Sequence, residues 1–275
     1  MLSVWLSDDP GEVLARAGDG LRRDPVRHNV LLTLLHARVR SPQPGRYWTI
    51  WSGSTFLGLV FQSPLDFEAT ITPMGGEAVD AAVDAVVGAG VLLPGVNGEA
   101  ATAARFAGAW TERTGGGARP YMGQRLYEVD TVVPARPTPG SCRPATEGDA
   151  ALLTAWGAAF QQETGDTGGN PAETVQRRIG AGELFVWDDD GPTSMAGVSA
   201  PVAGTARVGP VFTPVEARGR GRASALVAAV SVSVRGGGDR CILYTDLGNP
   251  TSNGIYRALG YRVGMEALKY RFEYG

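Results

Sequence analysis

The stretch "VFTPVEARGRGRASALVAAV", residues 211–230, decides how the chain is read. It opens as an extended run through Val211, Phe212 and Thr213 and breaks at Pro214. It then passes through a loop carrying Arg218, Gly219, Arg220 and Gly221, and continues as an apolar helix entered by Arg222, Ala223 and Ser224. A helix start leaves about four backbone N–H groups unpaired and carries roughly half a positive charge. Glycines there let backbone approach a ligand closely and arginines add charge, so the junction suits a phosphate or pyrophosphate group. The competing reading is a surface loop whose arginines are merely solvated.

The composition narrows the classes open to the chain. Its 275 residues suffice for one large domain or two ordinary ones, and 43% hydrophobic with 19% charged residues describes a globular protein with ample core. A net charge of −3 argues against a general nucleic-acid binder, which would show a basic face. Cys142 and Cys241 lie far apart, and no C-x-x-C or H-x-x-x-H pattern occurs, so neither a zinc site nor a stapled secreted scaffold is expected. His28 and His36 are eight residues apart, too far for ligands on adjacent helical turns, and read as ordinary helix residues. The first residues, MLSVWLSDDPGE, have no basic leader, and no apolar run approaches about 18 residues, so a cytoplasmic protein without membrane partners is expected.

The clearest break is "DTVVPARPTPGSCRPAT", residues 130–146, whose four prolines cannot lie inside a helix or central strand. It divides the chain nearly in half, with expected domains 1–135 and 141–275. The first half reads as a helix over "DPVRHNVLLTLLHARV", then three β-rich segments, "RYWTIWSG", "STFLGLVFQSP" and "DFEATITPM". Helices "GEAVDAAVDAVVGAG" and "NGEAATAARFAGAWTERTG" follow, then a strand "YMGQRLYEVD". The second half repeats the order: helices "GDAALLTAWGAAFQQETG" and "PAETVQRRIGAG", strands "ELFVWDDD", "TSMAGVSAPVA" and "TARVGPVFTP", helix "ASALVAAVSVSV", strand "RCILYTDL", helix "TSNGIYRALG" and strand "YRVGMEALKYRFE". The match is of order and anchor type, "ATITP" on "GPVFTP", and indicates a tandem repeat of one mixed α/β unit. After the shared Thr-Pro, the first half has "MGGEAVDAA" where the second has "VEARGRGRASA", so the arginine-glycine loop exists in one copy only.

These residues carry a family resemblance. "VFTPVEARGRGRASAL" resembles the coenzyme A loop of the GNAT superfamily of N-acetyltransferases, Gln/Arg-x-x-Gly-x-Gly/Ala between a strand and a helix, through Arg218, Gly221 and Ala223. "NPTSNGIYRALGYR", residues 249–262, resembles the later segment of the same superfamily through Asn249, Ser252, Tyr256, Gly260 and Tyr261. The N-terminal half resembles a degenerate unit, keeping "GVNGEAATAARFAGAW" but lacking the loop. The resemblance implies an α/β fold of two tandem units, each a mixed, mostly antiparallel sheet flanked by helices. It also implies acetyl-CoA as acyl donor, bound by the C-terminal half alone.

Carried over residue by residue, the resemblance gives Val211, Phe212 and Thr213 the role of a strand end whose free N–H groups bind the acetyl carbonyl. Arg218 to Ser224 would wrap the pyrophosphate, Gly219 and Gly221 permitting close approach, while Arg220 and Arg222 supply field or meet the adenosine 3′-phosphate. Tyr256 would protonate the departing thiolate, the alternative being a packing tyrosine that lines the channel. Asn249 would hydrogen-bond the pantetheine arm or hold the splayed strand, Ser252 is expected among the cofactor-binding residues, and Asn249 followed by Pro250 equally suits a helix N-cap. No histidine lies in the C-terminal half, so the base that deprotonates the amine is expected to be a carboxylate, Glu163 or Asp246, or ordered water, each carboxylate also reading as a solvated or capping one. "DDD" at 188–190 reads as a hairpin turn.

The expected activity is direct transfer of acetyl to a primary amine, of a small molecule or a peptide, in a ternary complex. A non-catalytic acyl-CoA-binding or scaffold protein is the alternative, favoured by the missing obvious base. A P-loop nucleotide binder is disfavoured, because the loop lacks a Gly-Lys-Ser/Thr ending.

Overall fold

The computed structural model describes residues 1–165 and 169–275. It divides the chain into two compact units: Met1–Leu126 with Thr245–Gly248 and Val263–Gly275, and Tyr127–Tyr244 with Asn249–Arg262. The division does not run in chain order, because the C-terminal strand is built into the first unit.

The first unit runs β1 (Leu2–Ser7), α1 (Pro10–Arg22), α2 (Asn29–Arg40), β2 (Arg46–Ser52), β3 (Thr55–Gln62), β4 (Ala69–Ile71), α3 (Gly76–Gly88), β5 (Gly95–Glu99), α4 (Ala100–Thr114) and most of β6 (Gly117–Val129). Its strand order is β1-β2-β3-β4-β5-β12-β6, where β12 is Arg262–Glu273. The β4/β5 pair is parallel; β1/β2, β2/β3, β3/β4 and β12/β5 are antiparallel. Trp48, Val60, Val83, Phe106 and Trp110 fill the core under α3 and α4, and Phe272 of β12 stacks on Trp110 with ring centroids 5.1 Å apart. Burying each such side chain stabilises by roughly 1.5–3 kcal/mol, so the last strand is part of this core rather than an addition to it.

The second unit contains β7 (Ser141–Pro144), α5 (Ala150–Thr164), α6 (Pro171–Gly180), β8 (Leu184–Asp188), β9 (Pro192–Val198), β10 (Thr205–Phe212), α7 (Arg222–Gly236), most of β11 (Arg240–Asp246) and α8 (Pro250–Ala258). Its strand order is β11-β10-β9-β8-β7, with the end of β6 beside β11. Alternation along β8 shows both faces covered: Leu184 and Val186 pack with Leu153, Trp156 and Val175 of α5 and α6, whereas Phe185 and Trp187 meet Leu226 and Val230 of α7. The helices start and stop where their caps dictate. Asn170 accepts from the Ala172 N–H at 2.9 Å before Pro171, and α5 ends at Gly165 with φ +67°.

Four elements escape a reading by pattern. β1 and α1 lie in the acidic N-terminal segment, where Asp9 caps α1 by accepting from the Gly11 N–H at 2.7 Å. β5 is "GVNGE", which has the composition of a turn but lies between β4 and β12. There an added Cβ on Gly95 would fall 2.1 Å from the Tyr270 carbonyl, so the close strand requires glycine. β7, "SCRP", lies within the proline-rich segment and is an edge strand, the position that tolerates proline. The first-half helix begins at Asn29, later than the segment starting at Asp24, with His28 Nδ1 bonded to the Leu21 carbonyl at 2.9 Å.

Candidate functional site

The second unit brings three features to one end of its sheet. The first is a parting of strands. β10 pairs in parallel with β11 from Thr205↔Arg240 to Val208↔Leu243 and no further. On its other side β10 stays paired with β9 to Phe212↔Met195, across an irregularity between Val208 and Val211. The edge of Gly209–Phe212 that would face β11 is therefore outside the ladder, so those N–H groups of the strand end that point to this side, alternating with the ones turned to β9, have no acceptor in β11.

The second feature is the start of α7. Gly221 is the N-cap, with φ +78° and no side-chain cap, and Gly219 has φ +75°. Both lie in the left-handed region that glycine enters without strain. An added Cβ on Gly219 would meet nothing within 4 Å, and one on Gly221 would fall 2.9 Å from Thr138 Oγ1. The result is a bare helix start with its N–H groups at Arg222 to Ser224 unoccupied by any side-chain cap, a cradle of the right chemistry for a diphosphate.

The arginines of the loop are used differently from one another. Arg218 folds back on the strand end: Nε donates to the Thr213 carbonyl at 2.8 Å, and the guanidinium lies 5.8 Å from the Phe212 ring centroid. Its Nη2 donates to both oxygens of Glu163, at 2.7 and 2.9 Å. Arg222 pairs with Asp189 of the hairpin turn, so this side chain anchors α7 to the sheet. Arg220 is exposed.

The third feature is α8. Asn249 caps it, its Oδ1 accepting from the Ser252 N–H at 3.0 Å, with Pro250 in the first turn. Tyr256 is buried among Tyr127 and Tyr261, with ring centroids at 6.1 and 5.9 Å. Burial pushes its phenol up to about 12, against a hydrogen bond from Ser252, so it holds its proton throughout the neutral range.

The two carboxylates proposed as bases occupy different places. Glu163 lies in the last turn of α5 and is engaged by Arg218. Asp246 is exposed, accepts from the Gly248 N–H at 2.7 Å, and falls in the segment grouped with the first unit. Sequence reasoning overlooked Arg178, whose guanidinium lies against Gly197 and donates to the Gly209 carbonyl at 3.2 Å, beside the parting strands. Its signal was present in α6, where a charged residue stands next to Ile179 on the inward side.

In the first unit the corresponding helix start, Gly75 before α3, likewise has no side-chain cap, but the segment leading to it is held differently. β4 ends at Ile71, and beyond it the Met74 N–H donates to Thr102 Oγ1 at 3.4 Å. Thr102 in turn donates to Glu99 at 2.7 Å, and Glu99 pairs with Arg27. Met74 Cε also lies 2.8 Å from where a Cβ on Gly58 would stand.

Comparison with known proteins identifies the fold. Residues 195–270, from β9 to β12, match the FR47-like protein family. An acetyltransferase from the GNAT family of Colwellia psychrerythraea superposes with a TM-score of 0.65 at 11% identity, covering 99% of this chain and 100% of that one. A tandem GNAT protein from the clavulanic acid biosynthesis pathway gives 0.60 at 13% identity over 100% and 99%. The fold is the tandem GNAT fold. A GCN5-related N-acetyltransferase from Sphaerobacter thermophilus is similar to the same extent, with a TM-score of 0.60 at 16% identity over 99% of this chain and 95% of its own. No curated protein matches the chain by sequence. The parted strands and the glycine-hinged helix start both lie in the second unit. Among the described residues, no helix is long and apolar enough to cross a membrane.

Proposed function

We propose that the second unit binds acetyl-CoA and transfers its acetyl group to a primary amine. The observation that carries this reading is the conjunction of a β10 edge released from β11 after Val208 with an uncapped, glycine-hinged start of α7. A diphosphate on the N–H groups of α7 would leave the pantetheine arm to run along the opening toward Val211–Thr213.

The acyl donor supplies a thioester. Backbone N–H groups at Val211–Thr213 would hold its carbonyl and take up the charge that develops on oxygen, an effect worth roughly 3 to 4 kcal/mol per donor. As the amine nitrogen bonds to the carbonyl carbon, the C–S bond breaks, and Tyr256 gives its proton to the thiolate. The amine loses one proton to solvent or to a carboxylate, and Tyr256 is reprotonated from solvent, so charge and protons balance. Arg218 shapes the strand end, and Asn249 with Ser252 fixes the start of α8 and so the height of Tyr256.

The first unit, with its tied region, serves as a structural partner and not as a second donor site. The protein is read as cytoplasmic, its acceptor a small molecule or a peptide. The test is release of free thiol from acetyl-CoA against a panel of amines, aminoglycosides, amino acids and peptides. Amine-dependent release sustains the proposal; binding of acetyl-CoA without release from any acceptor favours a scaffold that keeps the donor site alone.

A further inference from the structure

At the end of β1 the acidic residues divide their work. Asp9 caps α1 and Glu12 Oε2 accepts from the Ser7 hydroxyl at 3.0 Å, whereas Asp8 lines a cavity. The cavity, about 640 Å³, lies wholly in the first unit, and such a volume suits a small ligand. Leu6, Pro44, Leu65 and Val91 give it apolar walls, and Arg46 is its second charged group. Among the described residues, neither Asp8 nor Arg46 belongs to an ion pair or a side-chain hydrogen bond. The walls are held by the protein itself. Ser63 Oγ donates to the Pro44 carbonyl at 3.0 Å and accepts from Arg38 Nε at 2.7 Å, while fully buried Gln62 donates to the Leu65 carbonyl at 2.7 Å. Gly45 is required between Pro44 and Arg46, since a Cβ there would fall 2.4 Å from the Tyr47 hydroxyl. Burial pushes that phenol up, against Ser63 and Arg38, and Asp9 and Asp8 push it further, which places the Asp8 charge near this wall. The remaining wall is the end of α3, where the Gly90 N–H returns to the Val87 carbonyl at 2.9 Å and the Val91 N–H to Val86 at 3.3 Å, leaving the Ala89 carbonyl outside the motif. A helix end carries roughly half a negative charge, and α3 has no basic residue in its last turn to meet it.

We infer that this cavity binds a free α-amino acid with an apolar side chain: its carboxylate on Arg46, its ammonium between Asp8 and the end of α3, and its side chain against Leu6, Leu65 and Val91. One cation shares the cavity with one carboxylate and a negative helix end, so a lone anion or a lone cation would meet a like charge, whereas a zwitterion is matched at both ends. The inference stands apart from the acetyl-transfer reading, because every lining residue belongs to the first unit.

The test uses the full chain, titrated calorimetrically with leucine, with N-acetyl-leucine and with leucinamide. The parent is expected to bind leucine at least tenfold more tightly than either blocked form. Asp8→Asn is expected to weaken leucine tenfold or more and N-acetyl-leucine hardly at all, because only leucine brings an ammonium to Asp8. Arg46→Gln is expected to weaken leucine by a similar factor and to leave leucinamide as it was. Leu65→Trp, at an exposed loop position, narrows the cavity and is expected to abolish leucine binding; it decides the question should either charge variant fail to fold. A parent that does not bind leucine, or that binds a blocked form equally well, overturns the inference. Leucine binding that persists unchanged in the folded variants belongs elsewhere, such as an acceptor site in the second unit, and overturns it too.

Discussion

Tyr256 joins two properties that are usually separate, a packed ring and a proton kept through neutral pH. Tyr256→Phe keeps the ring contacts with Tyr127 and Tyr261 and removes only the donor. Turnover is expected to fall about 10²- to 10⁴-fold, the range of general-acid assistance, while acetyl-CoA affinity shifts by no more than a hydrogen bond, about 0.5–1.5 kcal/mol. Steady-state kinetics beside calorimetry measures both; turnover within about threefold of the parent would make Tyr256 a packing residue. Glu163 is expected to behave otherwise. Both its oxygens accept from Arg218, so Glu163→Gln should loosen the strand end and raise the KM for acetyl-CoA, with turnover changed less than about tenfold. A hundredfold loss of turnover that also removes one limb of the pH profile would instead make it the base. At this scale the sequence was legible where a residue serves the backbone, as with Gly221, Asn249 and Pro250. It was not legible where partners come from distant segments: nothing near Arg218 or Arg222 in sequence foretells Glu163 or Asp189.

At the scale of elements, β10, α7 and α8 were readable because each carries its own punctuation: a Thr-Pro exit, a glycine hinge, an Asn-Pro cap. β5 and β7 were not, since a five-residue strand rich in glycine and a four-residue edge strand carry too few periodic positions to register. The glycine hinge makes a direct prediction. Gly221→Leu forces a β-carbon into a left-handed position and toward Thr138 Oγ1, 2.9 Å away, so it should cost about 1–2 kcal/mol of stability and weaken acetyl-CoA binding more than tenfold. Thermal unfolding and calorimetry check the two parts. The edge strand β7 depends on a charge clip, in which Arg143 donates to Asp149 at 2.7 and 3.0 Å and to Asp188 at 2.6 Å. That clip holds the Asp149 carboxyl at about 2, below its unfolded value near 3.9. A depressed carboxyl contributes stability above the unfolded pKa and loses it as pH falls through the folded one. The contribution, roughly 1–2 kcal/mol after solvent screening, is expected to vanish between about pH 4 and pH 2. Asp149→Asn should lower the urea midpoint at pH 6 and flatten its fall over that window.

For the whole molecule, the tandem order was legible because the two halves share a grammar, but the exchange of chain between units was not, because strand partners are chosen by tertiary packing and leave no mark on local periodicity. Val263–Gly275, last in sequence, is built into the first unit against β5, while Tyr127–Val129, which precedes the proline-rich linker, is built into the second. The consequence is that the linker is a break in composition and not a place to cut. A fragment beginning at Ser141 retains the Arg218–Ala223 loop and all of α8, yet it loses Tyr127, which is fully buried, rests against the Tyr256 ring and donates to Asn253 at 3.1 Å. It also strands β12 without β5, exposing Phe272 and the unpaired edge of Ala267–Arg271 to water. Losing one buried aromatic typically costs about 3–5 kcal/mol, a large share of the 5–15 kcal/mol that holds an ordinary domain together, and an open apolar edge invites aggregation. The fragment is therefore expected to be insoluble or to unfold well below the parent in thermal melts, while the full chain is expected to bind one acetyl-CoA, because the start of α3, which like that of α7 has no side-chain cap, follows a segment tied at Met74 to Thr102 and lacks the left-handed glycines of the α7 start. A soluble fragment 141–275 with parental affinity would show that the exchanged strands contribute little, and two equivalent sites by calorimetry would show that the tie between Met74, Thr102 and Glu99 does not close the first unit.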